Sequence, residues 1–112
     1  HKSSNIQYAD PVINFLDPEG RIKHRLYRED CVLLQGLYIK DLSRLGRPLD
    51  STVIVDNSPA SYLLQPDNAI AIKSWFSDPD DQDLHHMIPS LIRLSTAASV
   101  SEWREDDFVE SP

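Results

Sequence analysis

A single cysteine, Cys31, among 112 residues excludes an internal disulfide, so a reducing, intracellular setting is the expectation. Basic residues are also in short supply: 11 Lys and Arg stand against 18 Asp and Glu, a formal charge of −7 at pH 7. No basic run occurs, which argues against nucleic acid and anionic membrane surfaces as partners, since both require a cationic face. The longest mainly apolar stretches, such as Thr52 to Val55, fall far below the roughly 18 residues of a membrane span, so direct membrane insertion is not expected. The opening run His1-Lys2-Ser3-Ser4-Asn5 has neither a Met nor the apolar centre of a signal peptide. No Gly-x-Ser-x-Gly elbow surrounds Ser58, which argues against a serine hydrolase. The chain does have 40% apolar residues, enough for one small core that buries about two-thirds of the unfolded surface.

The apolar pattern alternates between helical and extended periods. Asp10 is placed to cap a two-turn helix that starts on Pro11, presents Val12, Ile13, Phe15 and Leu16, and ends at Asp17-Pro18-Glu19-Gly20. Ile22 to Arg28 reads as a strand centred on Leu26 and Tyr27. Cys31 to Leu34 and Leu37 to Ile39 flank Gln35-Gly36, a hairpin signal, and Lys40 ends the second run. Asp41 to Gly46 predicts one helical turn with a glycine cap, stopped by Pro48. Thr52-Val53-Ile54-Val55 is β-branched and has no polar face after Thr52, as in a strand buried on both sides, and Asp56 stands at its carboxyl end. A turn at Asn57-Ser58-Pro59, a helical turn over 60–64 and a strand from Ala69 to Ile72 follow. The Ser77 to Asp81 segment offers caps to a last helix with Leu84, Met87, Ile88, Leu91 and Ile92 on one stripe, interrupted by Pro89. The expected organisation is one domain over 1–98 and a polar, acidic, loosely attached tail over 99–112. Helices alternating with short strands argue for an α/β sandwich with a parallel sheet, with ligands at the carboxyl ends of the strands.

Asp56 and Asn57 are the leading candidates for chemistry. A carboxylate and an amide carbonyl at the end of a buried strand are hard oxygen ligands of the kind Mg²⁺ accepts. The alternative is that they cap the following turn. Lys40, at another strand end, can neutralise a phosphate or a carboxylate nucleophile, or stand in solvent like most lysines. The Arg28 guanidinium can grip a phosphoryl group, or pair with Glu29 or Asp30. His85 and His86 are adjacent and point to different faces, which is not a metal-ligand spacing. Cys31 has no histidine near it in sequence and reads as a small apolar group. Trp75 and Phe76 read as core, with a peptide pocket as the alternative.

The blocks Tyr8-Ala9-Asp10-Pro11, Leu26-Tyr27-Arg28-Glu29, Tyr38 to Arg47, Val55-Asp56-Asn57-Ser58-Pro59-Ala60-Ser61-Tyr62 and Ser74-Trp75-Phe76 resemble the small carboxy-terminal-domain phosphatases. These form the NLI-interacting-factor-like group, and the fungal plasma-membrane sodium-response branch looks nearest. The resemblance covers residues 8 to 95 in order. It implies a Rossmann-like haloacid-dehalogenase fold and Mg²⁺-dependent removal of phosphate from Ser or Thr of phosphorylated proteins through a phospho-aspartate. By position it makes Lys40 the lysine that screens nucleophile and phosphate, and Asp56 a catalytic metal ligand with Asn57 beside it. It also makes Arg28 and Tyr8, together with Asn57, substrate-pocket residues, and the Ser58 to Tyr62 loop the wall behind the metal.

The family's nucleophile motif, Asp-x-Asp-x-Thr, does not occur in these 112 residues. The resemblance places it upstream of Tyr8, and Lys2 stands where the family's second-motif Thr belongs. The expectation is therefore a fold truncated at its N-terminal side, without the first strand, carrying the back half of an active site and inactive alone. Such a chain is a piece of a complete phosphatase, a non-catalytic phosphoprotein-binding module, or one half of a site completed by pairing with a chain that carries the first motif. Without a central strand, Val53 and Val55 should be exposed.

Overall fold

The computed structural model describes residues 5–74 and 76–100. Helix α1 spans Ile6–Leu16 and is capped by Asn5, whose side-chain oxygen accepts from the Tyr8 amide at 3.0 Å. The helix therefore begins earlier than the Asp10-Pro11 signal predicts, and Pro11 lies inside it. A capable cap upstream nucleates the first turn, while the Asp10 carboxylate is taken by Arg25 and Tyr27. Asp17 closes the helix with its amide on the Ile13 carbonyl at 2.8 Å. Its carboxylate then takes the amides of Arg21 and Ile22 at 2.9 and 2.7 Å.

The strand expected over Ile22 to Arg28 does not form. Residues 21–27 have no regular structure and lead into a 3-10 turn over Arg28–Asp30. Carboxylates replace a neighbouring strand as hydrogen-bond acceptors: Asp17 takes the Ile22 amide, and Asp30 takes the Tyr27 amide at 2.7 Å.

The hairpin does form, as β1 (Val32–Leu34) and β2 (Leu37–Ile39), antiparallel with Val32 opposite Ile39 and Leu34 opposite Leu37. Gln35 and Gly36 between them have φ of 50° and 79°, so both central positions are left-handed and the turn matches the strand twist. Asp41 caps the next 3-10 turn, Leu42–Leu45, by accepting from Ser43, and Gly46 ends it at φ 70°. That φ, and not any shortage of room, calls for glycine there.

Strand β3 (Ile54–Asp56) pairs in parallel with β4 (Ala69–Ala71), Ile54 beside Ala69 and Asp56 beside Ala71. The crossover, residues 57–68, consists of 3-10 turns at Pro59–Tyr62 and Pro66–Asn68. Ile54 and Asp56 are buried, whereas Val55 between them is 37% exposed. The expectation of burial on both faces is thus corrected to one face, because successive side chains of a strand point to opposite sides and only one is covered. Val53, expected to be exposed alongside Val55, is half-buried. Leu42, Ile54 and Ala69 form the buried cluster, with Leu45 and Tyr62 packed on it.

Helix α2 spans Asp83–Leu94, and Asp81 accepts from the Asp83 amide at 2.9 Å. Its stripe is real but mostly uncovered: Met87 is buried, while Leu84, Ile88, Leu91 and Ile92 are exposed. Phe76 is 85% exposed, so it is not core, and Trp75 lies outside the described residues. Val100 is buried, so the packed region runs past residue 98, and the rest of the expected tail, 101–112, lies outside the described residues. Among the described residues the result is a mixed α/β architecture of two α-helices, a hairpin and a parallel strand pair.

Candidate active site

The carboxyl ends of β2 and β3 meet at a buried charge pair. Lys40, the first residue after β2, donates from Nζ to Oδ2 of Asp56, the last residue of β3, at 2.7 Å. Both residues are more than nine-tenths buried as whole residues. One turn holds both partners. The Lys40 amide donates to the Ser61 carbonyl at 2.8 Å, which pins the β2 exit to the 3-10 turn Pro59–Tyr62. The Ser58 amide, at the cap of that turn, donates to Asp56 Oδ1 at 2.8 Å, and the Ser61 hydroxyl also bonds the carboxylate.

Burial pushes the Asp56 carboxyl upward, yet the Lys40 hydrogen bond, the Ser58 amide, the Lys40 charge and the Ser61 hydroxyl together outweigh it and leave the group below the ordinary carboxylate value. At neutral pH Asp56 is therefore an anion. It is suited to balance a cation and unsuited to donate a proton. Taking either partner out of such a pair strands the other in the interior.

The remaining predicted residues stand nearer the surface. Asn57 donates from Nδ2 to the Ser74 hydroxyl at 2.7 Å, which leaves its carbonyl oxygen as the candidate ligand atom beside Asp56. Arg28, on the turn after the irregular segment, holds its guanidinium carbon 5.5 Å from the Tyr38 ring centroid, a contact worth about 0.5–1 kcal/mol when exposed. Tyr8 is 65% exposed on α1. The structure thus brings Lys40 and Asp56 into contact, sets Asn57 next to them, and anchors Arg28 on β2 through Tyr38, a partner that composition and spacing did not signal. His85 and His86 are exposed on α2. Cys31 is half-buried, and burial raises its thiol pKa despite the Lys40 charge, so it is a protonated thiol whose Sγ donates to the Tyr27 carbonyl.

Among the described residues no group of three His, Cys, Asp or Glu side chains is placed to hold a metal ion, and both Asp56 oxygens already accept hydrogen bonds. The residues present therefore do not by themselves make a Mg²⁺ site. A cleft of about 240 Å³ lies elsewhere, lined by Ser51, Val53, Leu91, Leu94 and Val100 among others. Asp50 and Ser95 also line it, but no lysine or arginine does, so it holds no charge pair and the chemistry is assigned to Lys40 and Asp56.

A family model described as NLI interacting factor-like phosphatase matches residues 2–101. The chain is 57% identical over 89 residues to a probable C-terminal domain small phosphatase of Dictyostelium discoideum, covering 80% of this chain and 29% of that protein. It is 53% identical over 98 residues to Phosphatase Herzog of Drosophila melanogaster, covering 88% and 28%. It is 52% identical over 98 residues to the human carboxy-terminal domain RNA polymerase II polypeptide A small phosphatase 2, covering 88% and 36%. The chain spans about a third of the length of these curated relatives. On the match over residues 2–101 and these identities, the chain belongs to the NLI interacting factor-like phosphatase family.

Proposed function

We propose that this chain supplies the back half of a Mg²⁺-dependent protein serine/threonine phosphatase site built on a Rossmann-like haloacid-dehalogenase sheet, and that it is inactive alone. The observation that supports the reading is the buried Lys40–Asp56 pair at the carboxyl ends of two strands, at 2.7 Å. In the proposed reaction a carboxylate from outside these 112 residues displaces the seryl or threonyl oxygen of a phosphoprotein from phosphorus. A general acid, also from outside these 112 residues, protonates the leaving alcohol; as its conjugate base it then takes a proton from the water that frees the phosphate from the resulting phospho-aspartate. Lys40 offsets the negative charge of phosphoryl group and carboxylate, an interaction that strengthens in a water-poor interior. Arg28 seats the phosphopeptide with its guanidinium, and Tyr8 supplies an aromatic wall.

Mg²⁺ binds through hard oxygens, commonly one or two carboxylates completed by waters and substrate phosphate. Asp56 and the Asn57 carbonyl are the ligands this chain would contribute, and the remaining oxygens come from elsewhere. No step assigned to Lys40 or Arg28 depends on the metal. The partner is a phosphorylated protein or peptide, not nucleic acid, together with the sequence that carries the nucleophile. A non-catalytic phosphoprotein-binding module is the second reading, favoured by the lack of Asp-x-Asp-x-Thr in these residues.

The test is hydrolysis of a small aryl phosphate with and without Mg²⁺. The 112-residue chain is expected to show no turnover. Addition of a chain containing the Asp-x-Asp-x-Thr motif should restore it, and Lys40→Ala or Asp56→Ala should each remove about 10²-fold or more of the restored rate. Turnover by the chain alone would overturn the reading. Phosphopeptide binding with no turnover after the addition would favour the binding module.

A further inference from the structure

The residues that seat Arg28 lie on a segment with little else to hold it. Residues 21–27 have no regular structure, and Ile22 within them is about half exposed. Apolar packing is thin there, so side-chain hydrogen bonds set the path of the backbone. Asp10, in the middle of α1, gathers the far end of this segment. Its Oδ1 accepts from Arg25 at 3.2 Å and from the Tyr27 hydroxyl. Arg25 also donates to Asn14 one turn further along α1, at 2.9 Å. Tyr27 in turn starts the 3-10 turn: its amide donates to Asp30 at 2.7 Å, and its carbonyl accepts from the Asp30 amide at 2.9 Å. Arg28 is the first residue of that turn and lies over Tyr38 of β2, the strand that leads to Lys40.

We infer that Asp10 is a positioning residue that, through the Tyr27 hydroxyl, latches the Arg28–Asp30 turn to α1 and fixes the Arg28 guanidinium over Tyr38 at the edge of the Lys40–Asp56 site. The inference rests on the proposed role of Arg28 in holding a phosphopeptide, and adds the device that aims it. The physical reason is preorganisation. A long, exposed arginine grips a phosphoryl oxygen well only if its backbone is already placed, because ordering a coil segment on binding subtracts from affinity. The Asp10 hydrogen bond, and after it burial, keeps the Tyr27 phenol protonated, so the donor of the latch persists through the neutral range.

Two readouts on the 112-residue chain separate this inference from the functional reading beneath it. The first is the NMR ring-current shift of the Arg28 side chain caused by the Tyr38 ring, assigned with Tyr38→Leu. The second is affinity for a phosphoserine peptide by calorimetry. Tyr27→Phe and Asp10→Ala are expected to collapse the Arg28 shift. Asp10→Asn, whose amide oxygen still accepts from Tyr27, should keep it. Tyr27→Phe should weaken the phosphopeptide about 3- to 10-fold, the scale of one hydrogen bond, and add nothing in an Arg28→Ala background. An Arg28 shift that survives Tyr27→Phe overturns the latch. An Arg28→Ala chain that binds phosphopeptide as well as the parent overturns the role given to Arg28, and the shift alone then decides whether Asp10 and Tyr27 place it.

Discussion

Asp56 and Asp10 each sit at the centre of a small hydrogen-bonded network, with a cation and further donors, and each is held below the ordinary carboxylate value. Their surroundings differ. Asp56 is 7% exposed and reaches a lysine at 2.7 Å, whereas Asp10 is 35% exposed at its side chain and reaches an arginine at 3.2 Å. For Asp56 the largest influence is burial, which opposes the charge and is outweighed by three partners, Lys40, Ser58 and Ser61. For Asp10 the largest influence is the Tyr27 hydrogen bond itself. A carboxylate under a strand end is thus a commitment of the fold, with every donor obliged to be there, while a carboxylate on a helix flank is a latch that solvent can share. That contrast also separates the roles proposed here, charge balance at a reacting centre in one case and placement of a neighbouring arginine in the other.

The sharpest way to break the comparison is to remove the cation at each end. Lys40→Met should leave Asp56 buried without its partner and cost about 3–5 kcal/mol of folding stability in urea, a loss far larger than Arg25→Ala produces at Asp10. The double substitution Lys40→Met with Asp56→Leu should recover most of that loss, since two apolar side chains need no partner. If the double variant is as unstable as the single one, the cost lies in packing and not in an unpaired charge, and the two networks are more alike than their burial indicates.

Acid probes the same difference more gently. A carboxyl whose folded pKa lies below its unfolded one adds stability that is fully present above the unfolded value and fades as pH falls toward the folded one. The unfolded reference for Asp56 is 3.8, so its share should be intact near neutrality and decline as pH falls from just above 3.8 toward its depressed folded value. Asp10, Asp17 and Asp41 are shifted the same way and contribute in the same window. Urea midpoints measured from pH 6 down to pH 2 should therefore slope less steeply for Asp56→Asn than for the parent chain. Parallel curves would mean that the exposed carboxylates carry the acid sensitivity.

The two networks were not equally legible. Asp56 follows a β-branched run and Lys40 follows Leu37-Tyr38-Ile39, so periodicity alone puts both at strand ends, and the family blocks single them out. Their contact is a tertiary fact, set by where the turn Pro59–Tyr62 docks both strand exits. The hairpin and the glycine-capped turn were readable because left-handed backbone at Gly36 and Gly46 has a local chemical signature. Asp10 misled, since Asp-Pro at a helix start is a strong local signal, and what overrides it is a pair of residues, Arg25 and Tyr27, fifteen and seventeen positions on. The same partners explain the missing strand: side chains that reach back to α1 are no longer free to follow a pleat. The α2 stripe shows the converse, a correct helical period whose apolar side chains, Met87 apart, stand exposed.

Salt gives the smallest effect and the cleanest separation. At about 1 M ionic strength the Debye length falls to roughly 3 Å, so a solvent-shared pair is screened while a buried one is hardly touched. The stability lost on Arg25→Ala should shrink as NaCl rises from 0.05 to about 1 M, down to the share carried by the neutral Arg25–Asn14 hydrogen bond, because the charge attraction to Asp10 is screened while that short-range contact is not. The loss on Lys40→Met should change little across the same series, since water and ions do not reach between Nζ and Oδ2. Salt sensitivity of the Lys40→Met loss equal to that of Arg25→Ala would place solvent inside the Lys40–Asp56 pair. It would also weaken the case for charge balance at that centre, because an ammonium that ions can screen is a poor counterweight to a developing phosphoryl charge.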